Sequence, residues 1–227
     1  MKSTKNIGCW VAAILAVGFT AEGSQDGFVV PGFRGQADTT FAGWENFSVA
    51  VGAPGNAGDQ AGSDAGSTLW QTAPGALVLG SGNIYNGSEA SLFEVRYDSA
   101  GPVGTVVFQM RTLGTELAYD SVRLVAVGSD GPISLGATRT ELDRVTFGPP
   151  PPAPGSGFGV SSSWTWDVSA LGVQDFVLSI PATEINLSLD SATLDVQLVP
   201  EAGPVTLLVM GGVVLGLLPS RRRRTGA

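Results

Sequence analysis

Short stretches in which apolar and polar residues alternate recur along the middle of this chain, and none there carries the 3.6-residue period of an amphipathic helix. In SLFEVRYD, Phe93, Val95 and Tyr97 share one face while Glu94, Arg96 and Asp98 share the other. In TVVFQMRT, Val106, Phe108 and Met110 lie opposite Val107, Gln109 and Arg111. Successive side chains of a strand point to opposite faces, so each stretch can bury one row and wet the other. DSVRLVAV, SSWTWDV, DFVLSI, INLSL and ATLDVQLV read the same way, with Gly, Pro, Asp and Ser between them. The spacing predicts about eight to ten short strands and an all-β fold, an antiparallel β-sandwich of jelly-roll-like form.

A chain of 227 residues leaves room for one such domain plus targeting segments. Gly 32 and Pro 14 make it rich in turns, while 43% hydrophobic content is too high for general disorder. Two stretches break the alternation. GAPGNAGDQAGSDAG, residues 52–66, has the composition of a long surface loop, and GPPPPAPGSGFG, residues 148–159, that of polyproline II passing into a turn. Strands of similar character flank both, so they read as insertions in a single domain over 39–198, preceded by a flexible segment over 24–38.

Much chemistry is excluded by two counts. There is no histidine, and the one cysteine, Cys9, lies in the N-terminal apolar segment. A Ser-His-Asp triad, a Cys-His pair, a His-ligated metal and a disulfide framework are all out of reach. Carboxylate, hydroxyl and arginine chemistry remain, and no cofactor is implied. Between Glu22 and Ser220 stand 20 acidic residues against 6 arginines and no lysine. Such a body repels nucleic acid, which is therefore not an expected partner.

The two ends read as addresses. MKSTKNIGCWVAAILAVGFTAEGS has two lysines, an apolar stretch from Ile7 to Phe19 and small residues at Ala21 and Gly23, the order of a signal peptide over 1–23 read by the export machinery. Toward the other end, Val205 to Leu218 is an apolar run of 14 residues, short of the ~20 that cross a bilayer core. Arg221, Arg222, Arg223 and Arg224 follow and act as a basic stop-transfer cluster that orients the segment outward from the cytoplasm. A glycolipid-anchor signal does not close on a basic cluster, and no L-P-x-T-G stretch precedes the run.

Val199, Pro200, Glu201 and Ala202, then the apolar run, then the arginines, together resemble the tripartite PEP-CTERM sorting signal of Gram-negative bacteria. Ala202 stands where that pattern has its second proline. The resemblance implies a motif at 199–202, a transmembrane-type apolar helix at 203–218, a basic tail at 221–224 and transient anchoring in the membrane. It also implies processing by an exosortase-type transpeptidase that recognises Pro200 and Glu201, with this chain as its substrate. The body resembles carbohydrate-binding-like β-sandwiches in GNIY (Gly82 to Tyr85), WTWDVSALGVQDF (Trp164 to Phe176) and SLDSATLDVQ (Ser188 to Gln197). An exported, non-enzymatic envelope or matrix protein associated with extracellular polysaccharide is the function these resemblances imply.

Specific side chains can be weighed within the body. Trp44 and Trp70 flank the long loop and are the candidates for an exposed glycan platform, whereas Trp164 and Trp166 share a strand face and read as core. Asp59 and Asp64, with Asn56, supply oxygen ligands on a Gly-rich loop and are weak calcium candidates, their spacing matching no known calcium motif. Asp190 and Asp195, five apart, point to opposite faces of a regular strand and so make a poor hydrolase pair. A glycan-active enzyme using another Asp/Glu pair is one rival, and a surface protein whose tail is never cleaved is another.

Overall fold

A computed structural model describes residues 27–128, 130–148 and 156–200. The expected signal peptide over 1–23 and the expected apolar helix over 203–218, with Glu201, Ala202 and Arg221 to Arg224, lie outside these residues. Among the described residues no helix is long and apolar enough to cross a membrane.

The body is all-β, two antiparallel sheets around one core. The first sheet holds β1 (Thr39–Trp44), β4 (Leu77–Val78), β5 (Ile84–Asn86), β7 (Val103–Gly114), β10 (Thr138–Phe147), β11 (Gly157–Asp167) and β13 (Leu187–Leu198). Its order is β10-β11-β7-β13, with the far edge of β13 shared by β5, followed by β4, and by β1. The second holds β2 (Asn56–Ala57), β3 (Ser67–Gln71), β6 (Leu92–Tyr97), β8 (Arg123–Gly128), β9 (Gly131–Gly136) and β12 (Phe176–Pro181), in the order β2-β3-β6-β12-β8-β9. One 3₁₀ turn, Tyr119–Ser121, lies between β7 and β8.

The alternation in sequence becomes the core directly. Trp164, Phe108 and Leu194 stand side by side across β11, β7 and β13, all facing inward. Trp164 stacks on Phe108 at 6.0 Å and on Tyr119 at 6.4 Å. From the second sheet Phe93, Val95 and Tyr97 of β6 meet Leu178 and Ile180 of β12, and Tyr97 stacks on Phe176 at 5.0 Å.

INLSL and ATLDVQLV prove to be one strand, β13, with a register shift between Leu189 and Ser191. Leu187 and Leu189 are odd-numbered and Ala192, Leu194 and Val196 even-numbered, yet all five are buried. Only an extra residue can change the phase of alternation, and the bulge at Asp190 supplies it. The expected opposition of Asp190 and Asp195 is thereby corrected: both now face away from the core.

The segment expected to be flexible over 24–38 is, from residue 27 on, a strap laid across the outer face of the first sheet. Gly27 lies against Asp143 of β10, Val29 exchanges two 2.8 Å hydrogen bonds with the Gln109 amide of β7, and Arg34 reaches Asp195 of β13. Phe28 is buried beneath it. The sheet face carries polar residues that need partners, and the strap provides them.

Candidate functional site

The chain leaves the sandwich at Val199 and Pro200, the first two residues of the stretch expected to carry a sorting motif. Leu198 N donates to Asp38 O at 2.8 Å and Val199 N to Pro102 O at 2.7 Å, after which Pro200 is exposed. Val199 and Pro200 are therefore the last described residues of the body. The turn 98–102 borders this exit and the β11–β12 connection reaches the turn, where Val103 N donates to Val173 O at 2.7 Å; Asp38, Asp98 and Asp175 are exposed on these segments.

The tryptophans divide differently from expectation. Trp44 is 1% exposed, faces the core opposite Ala192 and donates its indole N–H to Asn56 O at 2.9 Å. Its apolar ring completes the core beside β13, so it is not an exposed platform. Trp70 does lie on the outer face of the second sheet and is partly buried, but Arg96 sits over its ring at 4.0 Å. A Cβ added at Gly55 would come within 2.6 Å of its Nε1, so the loop closes on its edge as well. Trp70 is held as a cation–π pair with one face occupied. Trp164 and Trp166 are core residues.

The calcium candidates act as loop ties. Asp59 accepts from Glu45 N and Asn46 N, each at 2.8 Å, and Asp64 Oδ1 accepts from Gly66 N at 3.2 Å. The buried Asn56 amide accepts from Ser48 N and Val49 N and donates to Val49 O. These bonds let a long Gly-rich stretch fold back along the free edge of β1, where Asp59 N and Asp64 N donate to Gly43 O and Phe41 O. Among the described residues no group of three metal-binding side chains comes together.

The carboxylates most engaged with arginine form two separate centres. On the strapped face, Arg34 grips Asp195 through two bonds, the second from Nη2 to Oδ2 at 2.7 Å, and lies over Phe41 at 4.0 Å. Asp195 is fully buried, and burial pushes its carboxyl above the ordinary value against the pull of Arg34. Arg111 pairs with Asp190 at 3.2 Å nearby, and Asn83 donates to Asp190 Oδ1 at 2.7 Å. At the β10 edge, Arg144 bridges Glu116 at 2.6 Å and Glu141 at 2.9 Å, while Arg139 lies 3.6 Å over the Tyr119 ring.

Hydrogen bonds from Arg144 lower both glutamates, Glu141 to about 2. Burial first, then the nearby Glu116, pushes the Tyr119 hydroxyl up to about 12. A hydrolase pair needs one carboxyl kept protonated beside one ionised and a path for substrate to both. Glu116 and Glu141 are displaced in the same direction, and Asp195 is sealed beneath the strap. Neither arginine centre offers a general acid.

Fold and surface together define a two-sheet antiparallel β protein with an acidic end from which its C-terminal segment departs. Compared with known proteins, the chain matches no family model and no curated protein. Arg34, Gln109 and the Glu116–Arg144 pair gave no sequence signal, because the partners lie 28 to 161 residues apart.

Proposed function

We propose that this chain is an exported, non-enzymatic envelope or extracellular-matrix protein, addressed by a C-terminal sorting signal that an exosortase-type transpeptidase processes. The observation that supports the reading is that, among the described residues, Val199 makes the last backbone bond and Pro200 is exposed immediately after it. A processing enzyme would meet Pro200 at the surface, without having to unfold β13. The signal-peptide pattern over residues 1–23 supplies export, and the arginines after the apolar run hold the segment in the membrane until it is cut.

The body is a jelly roll in this reading, supported by the row β1-β13-β7-β11 in one sheet and β6-β12-β8-β9 in the other, with the chain crossing between sheets at β1–β2, β3–β4, β5–β6, β6–β7, β7–β8, β9–β10, β11–β12 and β12–β13. Its acidic, histidine-free surface and committed carboxylates suit association with extracellular polysaccharide rather than its hydrolysis. Intact-mass measurement on the protein recovered from its own host tests the sorting: loss of Arg221 to Arg224 is expected, and their retention refutes processing in favour of an uncleaved tether.

A further inference from the structure

The outer face of the second sheet carries an apolar trough. Val125 is 44% and Val127 70% exposed, and with Val177, Phe176 and Pro132 they line a hollow of about 400 Å³. A second hollow of about 460 Å³, between Gly128, Gly172 and Gln174, shares Val127 and Asp175 with the first and so adjoins it. Asp98 and Asp175 border it. This end is also where the C-terminal segment departs. Ser99 N donates to Asp175 Oδ1 at 3.1 Å, and three residues on, Pro102 O accepts from Val199 N at 2.7 Å, so a single turn joins the rim of the trough to the exit.

We propose that the trough is the docking site for this chain's own apolar segment, Val205 to Leu218, whenever that segment is outside a bilayer. The reach follows from where the chain leaves: four residues, Glu201 to Pro204, separate Pro200 from Val205 and span roughly 13 Å when extended, and Pro200 follows directly on Val199, which is bonded to the turn that borders the trough. The chemistry matches along the segment, whose fourteen residues include Leu207, Leu208, Val209, Val213, Val214 and Leu215 and meet a valine-lined floor. An apolar run left in water favours the nearest apolar surface, and one tethered a few residues away meets it at high effective concentration. Docking covers two exposed apolar surfaces at once and keeps the unprocessed chain from self-association. Removal of the segment bares the trough only in the mature protein.

This goes beyond the sorting reading and does not need it, since an uncleaved chain would dock its segment equally. The test uses the full chain in detergent-free buffer with photoreactive p-benzoylphenylalanine in place of Val127. Irradiation, digestion and mass spectrometry are expected to recover an intramolecular link to a peptide from residues 203–220. The same probe in place of Thr165, on the outer face of the opposite sheet, should capture none of it. Val125→Thr in the same probe-bearing chain should cut capture at position 127 several-fold, whereas high salt should leave it unchanged. Equal capture from both probe positions, a link from position 127 to a second copy, or no link from it to residues 203–220 would each overturn the proposal. Matching thermal unfolding of the labelled and unlabelled chains controls for folding, and Val127 is exposed enough to accept the probe.

Discussion

The two outer faces of the sandwich are built on the same alternation and finished in opposite ways. On the first sheet the outward row of β7 and β13 includes Gln109, Thr193 and Asp195, all buried, because residues 27–36 lie over them. On the second sheet the outward row includes Arg96, Val177 and Val125, and no described segment covers it. A polar face that is covered must have every group answered, and an apolar face that is bare answers nothing until something docks. The first arrangement makes the strap part of the fold, whereas the second leaves a surface for association.

The largest test of that contrast is Arg34→Ala. It leaves the Asp195 carboxylate buried without its cation, and the expected loss is about 3–5 kcal/mol at neutral pH by urea unfolding. Arg34→Ala combined with Asp195→Asn should recover a large part of it, since no charge is then buried. A loss under about 1 kcal/mol for Arg34→Ala would mean the strap is an ornament and the two faces are alike. Next in size is Gln109→Leu, which strands Val29 N–H and C=O together. About 1–3 kcal/mol is expected, with faster amide exchange at residues 28–30 and no change on the second sheet.

The strap shows where sequence reading stops. Sheet identity was legible wherever a row of side chains meets the core: SLFEVRYD, TVVFQMRT and DFVLSI became β6, β7 and β12 with the inward residues as read. Even the bulge at Asp190 was written in the chain, as the apolar phase changes from Leu189 to Ala192, though it was read as two strands. The long edge strand β10 was missed because most of TRTELDRVTF is exposed and carries charge, the protection an edge requires, leaving little apolar alternation. Arg34 and Asp195 could not be paired from sequence at all. A lone arginine before β1 and an aspartate on an outward strand position each look solvated, and only the crossing of the strap makes them partners. Trp44 differs from expectation for a related reason: the loop that follows it suggests exposure, whereas its strand face is the buried one that Ala42 shares.

Acid should separate the two arginine centres. The Asp195 carboxyl is raised, so its burial weakens the fold as pH rises from its unfolded value through its folded one, and acid relieves that cost. In Arg34→Ala the carboxyl loses its cation and rises further, so the deficit of that variant should shrink steadily below neutral pH. Glu116 and Glu141 are lowered, so what they contribute is present above about 4.5 and lost as pH falls through their folded values, about 2 for Glu141. Because both are about a third exposed, Glu141→Gln should cost less than about 1 kcal/mol at neutral pH, with its difference from the parent vanishing in acid. Parallel pH profiles for Arg34→Ala and Glu141→Gln would contradict the assignment of one to a sealed site and the other to an open edge.

The smallest effect belongs to the bare face. Val125 is 44% exposed and packs outward between Val177 and Ser134, so Val125→Thr keeps the branched shape and the strand preference while making the surface polar. Within the folded body it should change stability by no more than about 0.5 kcal/mol. Its consequence is expected elsewhere, in a higher solubility of chain lacking the apolar segment and a weaker hold on that segment where it is present. A loss of 1 kcal/mol or more would show that Val125 is already packed against something in the folded body. The second sheet would then be finished as the first one is, by a cover that belongs to the fold.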